Sequence, residues 1–192
     1  MLTGKTKAEL RAAALAKRDA LSEARREAAA QAVAKRGLPI EITAGMVVSG
    51  YSPIRNEIDP APLMQKLASM GAKLALPAVV SRGKSLIFRA WSPRDRLVLG
   101  PLGIPEPSPA ATGLVPDVML VPLAAFDATG HRIGYGAGHY DYTFAHLRKQ
   151  KAVIGIGLAF ATQEIDGMPA LSHDVPLDYV LTEKRMFDFR SR

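Results

Sequence analysis

The sequence predicts an α/β fold: three layers, α/β/α, around a mostly parallel, Rossmann-like sheet in a single domain spanning residues 1–192. Short, nearly continuous apolar runs such as KLALPAVV and AVIGIGLAF read as strands buried on both faces, which is what a parallel sheet between helical layers requires. Helical stretches separate some of these runs. The 192-residue length, with 48% hydrophobic residues, suits one sizeable core.

Taken in order, residues 5–36 are rich in Ala, Leu, Glu, Lys and Arg and lack Pro and Gly until Gly37, so they read as an N-terminal basic helix. Ser22, followed three residues on by Arg25, is a candidate break in it. MVVSGY is a buried strand that runs into the loop SPIRNEID. Asp59 and Pro60 then form an N-cap and first-turn pair for a helix expected to turn Leu63, Leu67 and Met70 inward. KLALPAVV is the second strand, and LIFRAW the third, expected in a local antiparallel hairpin because no helix flanks it. GPLGIPEPSPAATGLVP is expected as loop. DVMLVPLAAF, AVIGIGLAF and DYVLT complete the strands, with a helix over residues 140–150 between the first two.

With no cysteine, the chain has no disulfide framework and no thiolate ligand or nucleophile, which fits a reducing compartment; cytoplasm is the expectation. No stretch approaches the roughly 18 unbroken apolar residues of a membrane span. The formal net charge is +7, and residues 1–36 hold nine Lys/Arg against four acids. Without interleaved aromatics or a recognisable motif, that charge favours small polyanions over nucleic acid.

GHRIGYGAGHYDYT, residues 130–143, lies on a long connection after the fourth strand, at the carboxyl edge where open α/β sheets bind ligands. Gly134, Gly136 and Gly138 carry no Cβ and tolerate positive φ, so successive N–H groups can face an anion at a helix N-terminus. A simple reversing turn would also use G-x-G-x-G. The flanking Arg132 and Asp141 add a cation for phosphate oxygens and a carboxylate for a hard metal such as magnesium. The spacing is not that of the dinucleotide fingerprint. SRGKSLIF is not a P-loop either, because Ala78 stands where its first glycine belongs. His131, His139, His146 and His173 show no ligand spacing. Lys7 and Arg11, four apart on a helix, share a face that suits one polyphosphate or plain solvation. Glu57, between a strand end and a helix start, is a candidate acceptor for a nitrogen-rich ligand, and Asp178 reads as a turn residue or a metal ligand.

KAELR, YSPIRNEID, GIPEP at 103–107, PLAAFDATGHRIGYGAGHYD and HDVPLDYVLTE together resemble the 5-formyltetrahydrofolate cyclo-ligase family over nearly the whole chain. The resemblance implies an enzyme that converts 5-formyltetrahydrofolate and ATP into 5,10-methenyltetrahydrofolate, ADP and phosphate with Mg2+; a cytoplasmic monomer that binds neither nucleic acid nor membrane is the accompanying expectation. It implies that Lys7, Arg11 and the run Arg132, Ile133, Gly134, Tyr135, Gly136, Ala137, Gly138, His139 and Tyr140 hold ATP. Ser52, Glu57 and residues Tyr135 to His139 would face the folate, Arg132 and Tyr140 would serve catalysis, and Asp141 and Asp178 would serve Mg2+. The chain departs from many such relatives at Tyr135, Ala137, His139 and Tyr142. A cation that a relative places at 135 or 137 would have to come here from Arg132 or Arg55. A phosphosugar isomerase or CoA-transferase relative on a similar sheet, and a nucleic-acid module built on the basic helix, are the rival readings.

Overall fold

The structure, a computed structural model, describes residues 4–171 and 174–190; His173 lies outside them. The basic N-terminal segment forms two helices, α1 (Lys7–Asp19) and α2 (Glu23–Arg36), with the break at the candidate serine. Thr6 and Glu9 close a reciprocal capping box on α1, and Ser22 Oγ accepts from Arg25 N–H to start α2. The remaining α-helices among the described residues are α3 (Ala61–Ser69) and α4 (His139–Leu147).

An eight-stranded sheet forms the centre. Five neighbouring strands run parallel: β12 (Tyr179–Leu181), β10 (Ile154–Leu158), β7 (Val118–Pro122), β1 (Val47–Ser49) and β2 (Lys73–Ala78). Antiparallel strands flank them, β13 (Met186–Asp188) beside β12, and β3 (Ile87–Ala90) then β6 (Gly113–Leu114) beside β2. The expected hairpin at LIFRAW is thus β2–β3.

Alternation along the strands explains the continuous apolar runs. Leu120 of β7 packs on one face with Val33 of α2 and Leu63 and Leu67 of α3, while its neighbours Met119 and Val121 pack on the other with Phe144 and Leu147 of α4. The sheet is therefore covered on both faces. Helix α1 stands apart, burying Leu10 and Ala14 against Ala125, Ile133 and Met168.

Four local expectations are corrected. DVMLVPLAAF makes two strands, because the chain leaves the main sheet at Leu123 and Ala124 to form β8 (Ala125–Asp127), which pairs with β9 (Arg132–Ile133) and β11 (Glu164–Ile165). The Pro-rich stretch expected as loop contains β5 (Pro105–Pro107) and β6; β5 forms a separate two-stranded sheet with β4 (Leu97–Leu99), an edge setting where proline need not supply a ladder donor. On α3, Met70 is the C-cap and 47% exposed; Met64 takes the inward place instead. Helix α4 starts one residue earlier than expected, where Gly138 caps it in a left-handed conformation, and ends three residues earlier, at Leu147 with Arg148 as C-cap.

Candidate active site

A cavity of about 970 Å³ opens at the carboxyl ends of the parallel strands, where Tyr51 and Ser52 follow β1, Val79 follows β2 and Pro122 ends β7. It gathers Lys7 and Arg11 of α1, Ser52 and Glu57 of the loop after β1, the whole stretch Arg132 to Tyr142, and Asp174. Every site residue expected from the sequence except Asp178 lines it.

The glycine stretch bridges β9 and α4. Gly136 (φ 94°) and Gly138 (φ 67°) occupy the left-handed region, whereas Gly134 does not. A Cβ at Gly136 would lie 3.7 Å from Arg11 Nη2, so the bare backbone faces a guanidinium. Arg11 Nε donates to the Gly134 carbonyl at 2.6 Å. Lys7 pairs with Asp174, which also accepts from Leu171 N–H. Two cations one helical turn apart thus tie α1 to both sides of the cavity mouth. Behind the glycines, the first turn of α4 directs its N–H groups and dipole at the same space.

Arg132 is buried at the start of the stretch. Its guanidinium donates to Asp141 Oδ1 at 2.8 Å and to the Val175 carbonyl at 2.5 Å, and it lies over the Phe144 ring. Asp141 Oδ1 also accepts from Val175 N–H at 3.1 Å. The segment SRGKSLIF, excluded as a P-loop, walls the N-terminus of α4: His139 Nδ1 meets the Lys84 carbonyl at 2.9 Å, and Leu86 N–H donates to Thr143 Oγ1 at 2.9 Å.

On the opposite wall, Glu57 Oε2 accepts from Ile54 N–H at 2.9 Å. Burial raises the Glu57 carboxyl above the usual carboxylate range, against the pull of Ile54 N–H, Tyr135, Arg18 and Arg55. Burial and the Glu57 charge push the Tyr135 hydroxyl up to about 12, and the same two causes push Tyr140 up. Both phenols therefore stay protonated at neutral pH and can donate. Ser52 Oγ donates to the Pro105 carbonyl at 2.6 Å, joining Glu57's loop to GIPEP.

Asp178 lies elsewhere. It precedes β12, at the amino ends of the parallel strands, and its Oδ2 accepts from Arg148 Nη2 and Gly155 N–H, each at 2.7 Å. The structure therefore does not bring it to Asp141. Among the described residues no three His, Cys, Asp or Glu side chains cluster as a metal cage. Mg2+ commonly uses one or two carboxylates with phosphate oxygens and water, a donor set to which Asp141, beside the glycine stretch, can contribute a carboxylate.

Three contributors escaped the sequence reading. Asp174, in the segment HDVPLDYVLTE, is the partner of Lys7. Glu106 of GIPEP is 4% exposed, lines the cavity and accepts from Val79 N–H at 2.9 Å. Arg18 is fully buried and donates Nη1 to the Tyr135 hydroxyl at 2.7 Å. The spacing Lys7, Arg11, Ala14, Arg18 places all four on one helical face, a signal present in the sequence.

The sequence model of the 5-formyltetrahydrofolate cyclo-ligase family matches residues 3–183. A 5-formyltetrahydrofolate cyclo-ligase of Mycolicibacterium smegmatis is 34% identical over 96% of this chain and 97% of its own length. The enzyme of that name from Escherichia coli is 31% identical over 74% of this chain and 80% of its own. The solved structure of Aquifex aeolicus 5,10-methenyltetrahydrofolate synthetase superposes with a TM-score of 0.77 at 32% identity, covering 96% of this chain and 93% of that one.

Proposed function

This chain belongs to the 5-formyltetrahydrofolate cyclo-ligase family, and from that premise we propose that it converts 5-formyltetrahydrofolate and ATP into 5,10-methenyltetrahydrofolate, ADP and phosphate. The observation that carries the proposal is a single cavity in which α1 cations and a glycine-lined helix N-terminus face a buried carboxylate.

A formamide oxygen is a poor leaving group. In the proposed reaction it attacks the γ-phosphorus, the bond to ADP breaks, and an imidate phosphate forms. The exocyclic nitrogen then attacks the formyl carbon, the carbon–oxygen bond breaks, phosphate departs and the nitrogen proton passes to solvent. No side chain needs to become covalently attached, so positioning and charge stabilisation supply the rate. The residues match that demand. Lys7, Arg11 and the N–H groups of residues 134–140 hold the triphosphate, and Arg132, fixed by Asp141 and Val175, adds charge where the chain enters the loop. Tyr140, kept protonated, donates to a reacting oxygen. Glu57 and Ser52 face the folate. Asp141 would hold Mg2+, which supplies further neutralisation of phosphate charge when bound.

The test is to incubate the protein with 5-formyltetrahydrofolate, with and without ATP and Mg2+, and follow methenyl absorbance. Product is expected only with both. Product formed without nucleotide, or none under any condition, overturns the proposal.

A further inference from the structure

Arg18 has no place in the cavity lining, yet it is the largest charged side chain sealed inside the fold. Its Nη1 holds the Tyr135 hydroxyl at 2.7 Å. Its Nε lies 3.5 Å from Asp19 Oδ1, and among the described residues Nε and Nη2 are buried without a hydrogen bond. Glu57 Oε1 is buried without one as well. The charges of Arg18 and Glu57 both act on the Tyr135 hydroxyl, Tyr135 and Glu57 line the same cavity, and the Arg55 guanidinium lies 5.4 Å from the Tyr135 ring centroid.

A buried guanidinium is strongly destabilising unless counter-charges compensate it, and the same holds for a buried carboxylate. Here the half-exposed Asp19 and the Tyr135 hydroxyl offset part of the Arg18 charge, and the attraction between Arg18 and Glu57 favours the charged form of the carboxylate. The arginine's donor takes an acceptor position on the phenol oxygen, which leaves the single hydroxyl proton free to be donated into the cavity.

We propose that Arg18 is a positioning residue: tied to the Tyr135 hydroxyl, it is the counter-charge through which Glu57 meets the nitrogen-rich ring of the folate as an anion. The inference rests on the functional reading above, since it needs Glu57 to face that ring. The other groups around Glu57 are Arg55 on its own loop, Tyr51 after β1, Tyr140 on α4, Tyr135 on the glycine stretch and Asp59 two residues on. Arg18 and Arg55 are the cations among these, and Arg18 alone is fully enclosed.

The experiment is calorimetric binding of 5-formyltetrahydrofolate, without nucleotide, from pH 5 to 9. Wild type should lose affinity as the medium acidifies and Glu57 takes up a proton. In Arg18→Gln that loss should begin at least about one pH unit higher, with affinity recovering in alkali. Arg18→Lys, which keeps the charge, should follow wild type. Arg18→Gln in a Glu57→Gln background should show no such displacement. A folded Arg18→Gln protein whose profile superimposes on wild type, or whose affinity drops equally at every pH, overturns the inference. If Arg18→Gln does not fold, the double variant decides: removing the orphaned carboxylate should restore a cooperative melt, and failure to do so also overturns it. Wild type that binds no folate at any pH contradicts the functional reading instead.

Discussion

Gly136 sits at φ 94°, a conformation that costs a side-chain-bearing residue about 1–2 kcal/mol and a β-branched one more. Gly136→Val should therefore weaken ATP binding at least about tenfold, a loss of about 1.4 kcal/mol, because the loop must shift its N–H groups to relieve the strain. Calorimetric titration with ATP, beside a melt showing the fold intact, checks this. The two aspartates expected to share a metal part company. Asp141→Asn should raise the Mg2+ concentration for half-maximal turnover about 10- to 100-fold and loosen Arg132, while Asp178→Asn should lower the melting temperature and leave the Mg2+ dependence alone. A titration of turnover against Mg2+ in both variants separates them. At this scale the sequence was legible wherever chemistry is local: bare glycines ahead of a helix, and a carboxylate after a strand. For Arg18 it held only the spacing that puts this residue on the face of Lys7 and Arg11, because a buried arginine and a solvated one look alike in a helix carrying many charges.

Helix α1 connects local chemistry to the site. Its capping box places Lys7 at the first helical position and Arg11 one turn later, so the order of the cap is the order of the two cations. Thr6→Ala removes the hydroxyl that Glu9 N–H reaches at 3.3 Å and should cost about 1 kcal/mol. Fraying of the first turn should raise the KM for ATP more than that for folate, since Glu57 and Ser52 lie on another element; steady-state kinetics with each substrate varied in turn checks it. The helix break at Ser22 was readable because serine is a strong N-cap, whereas β5 and β6 were not. Their proline and glycine content signals a loop by propensity, and only the tertiary setting at a sheet edge turns it into strand.

The molecule has two poles, and they separate function from stability. At the carboxyl ends of the parallel strands lies the cavity; at the amino ends, Asp117 ties the central strands together. Its Oδ2 accepts from Val47 N–H at 2.7 Å, its main-chain N–H donates to the Val47 carbonyl, its carbonyl accepts from Ile154 N–H, and Lys151 pairs with Oδ1. Strand order across β1, β7 and β10 was not readable from apolar runs alone, since such runs give buried strands without saying which neighbours they take. Asp117 was therefore invisible as a sheet fastener. Burial alone would raise its carboxyl, but Lys151 and Val47 N–H outweigh burial and hold it below the usual aspartate range. A carboxyl depressed on folding stabilises above its unfolded value of about 3.9, and that contribution disappears as the pH falls through the folded value. Asp117→Asn should thus melt lower than wild type at pH 7, with the gap closing below about pH 4. KM for both substrates should stay at the wild-type value, because the lesion lies a strand's length from the cavity. Melting curves from pH 7 to 3 beside KM at pH 7 test this, and a gap that persists undiminished at pH 3 would show that packing, not charge, holds the amino pole.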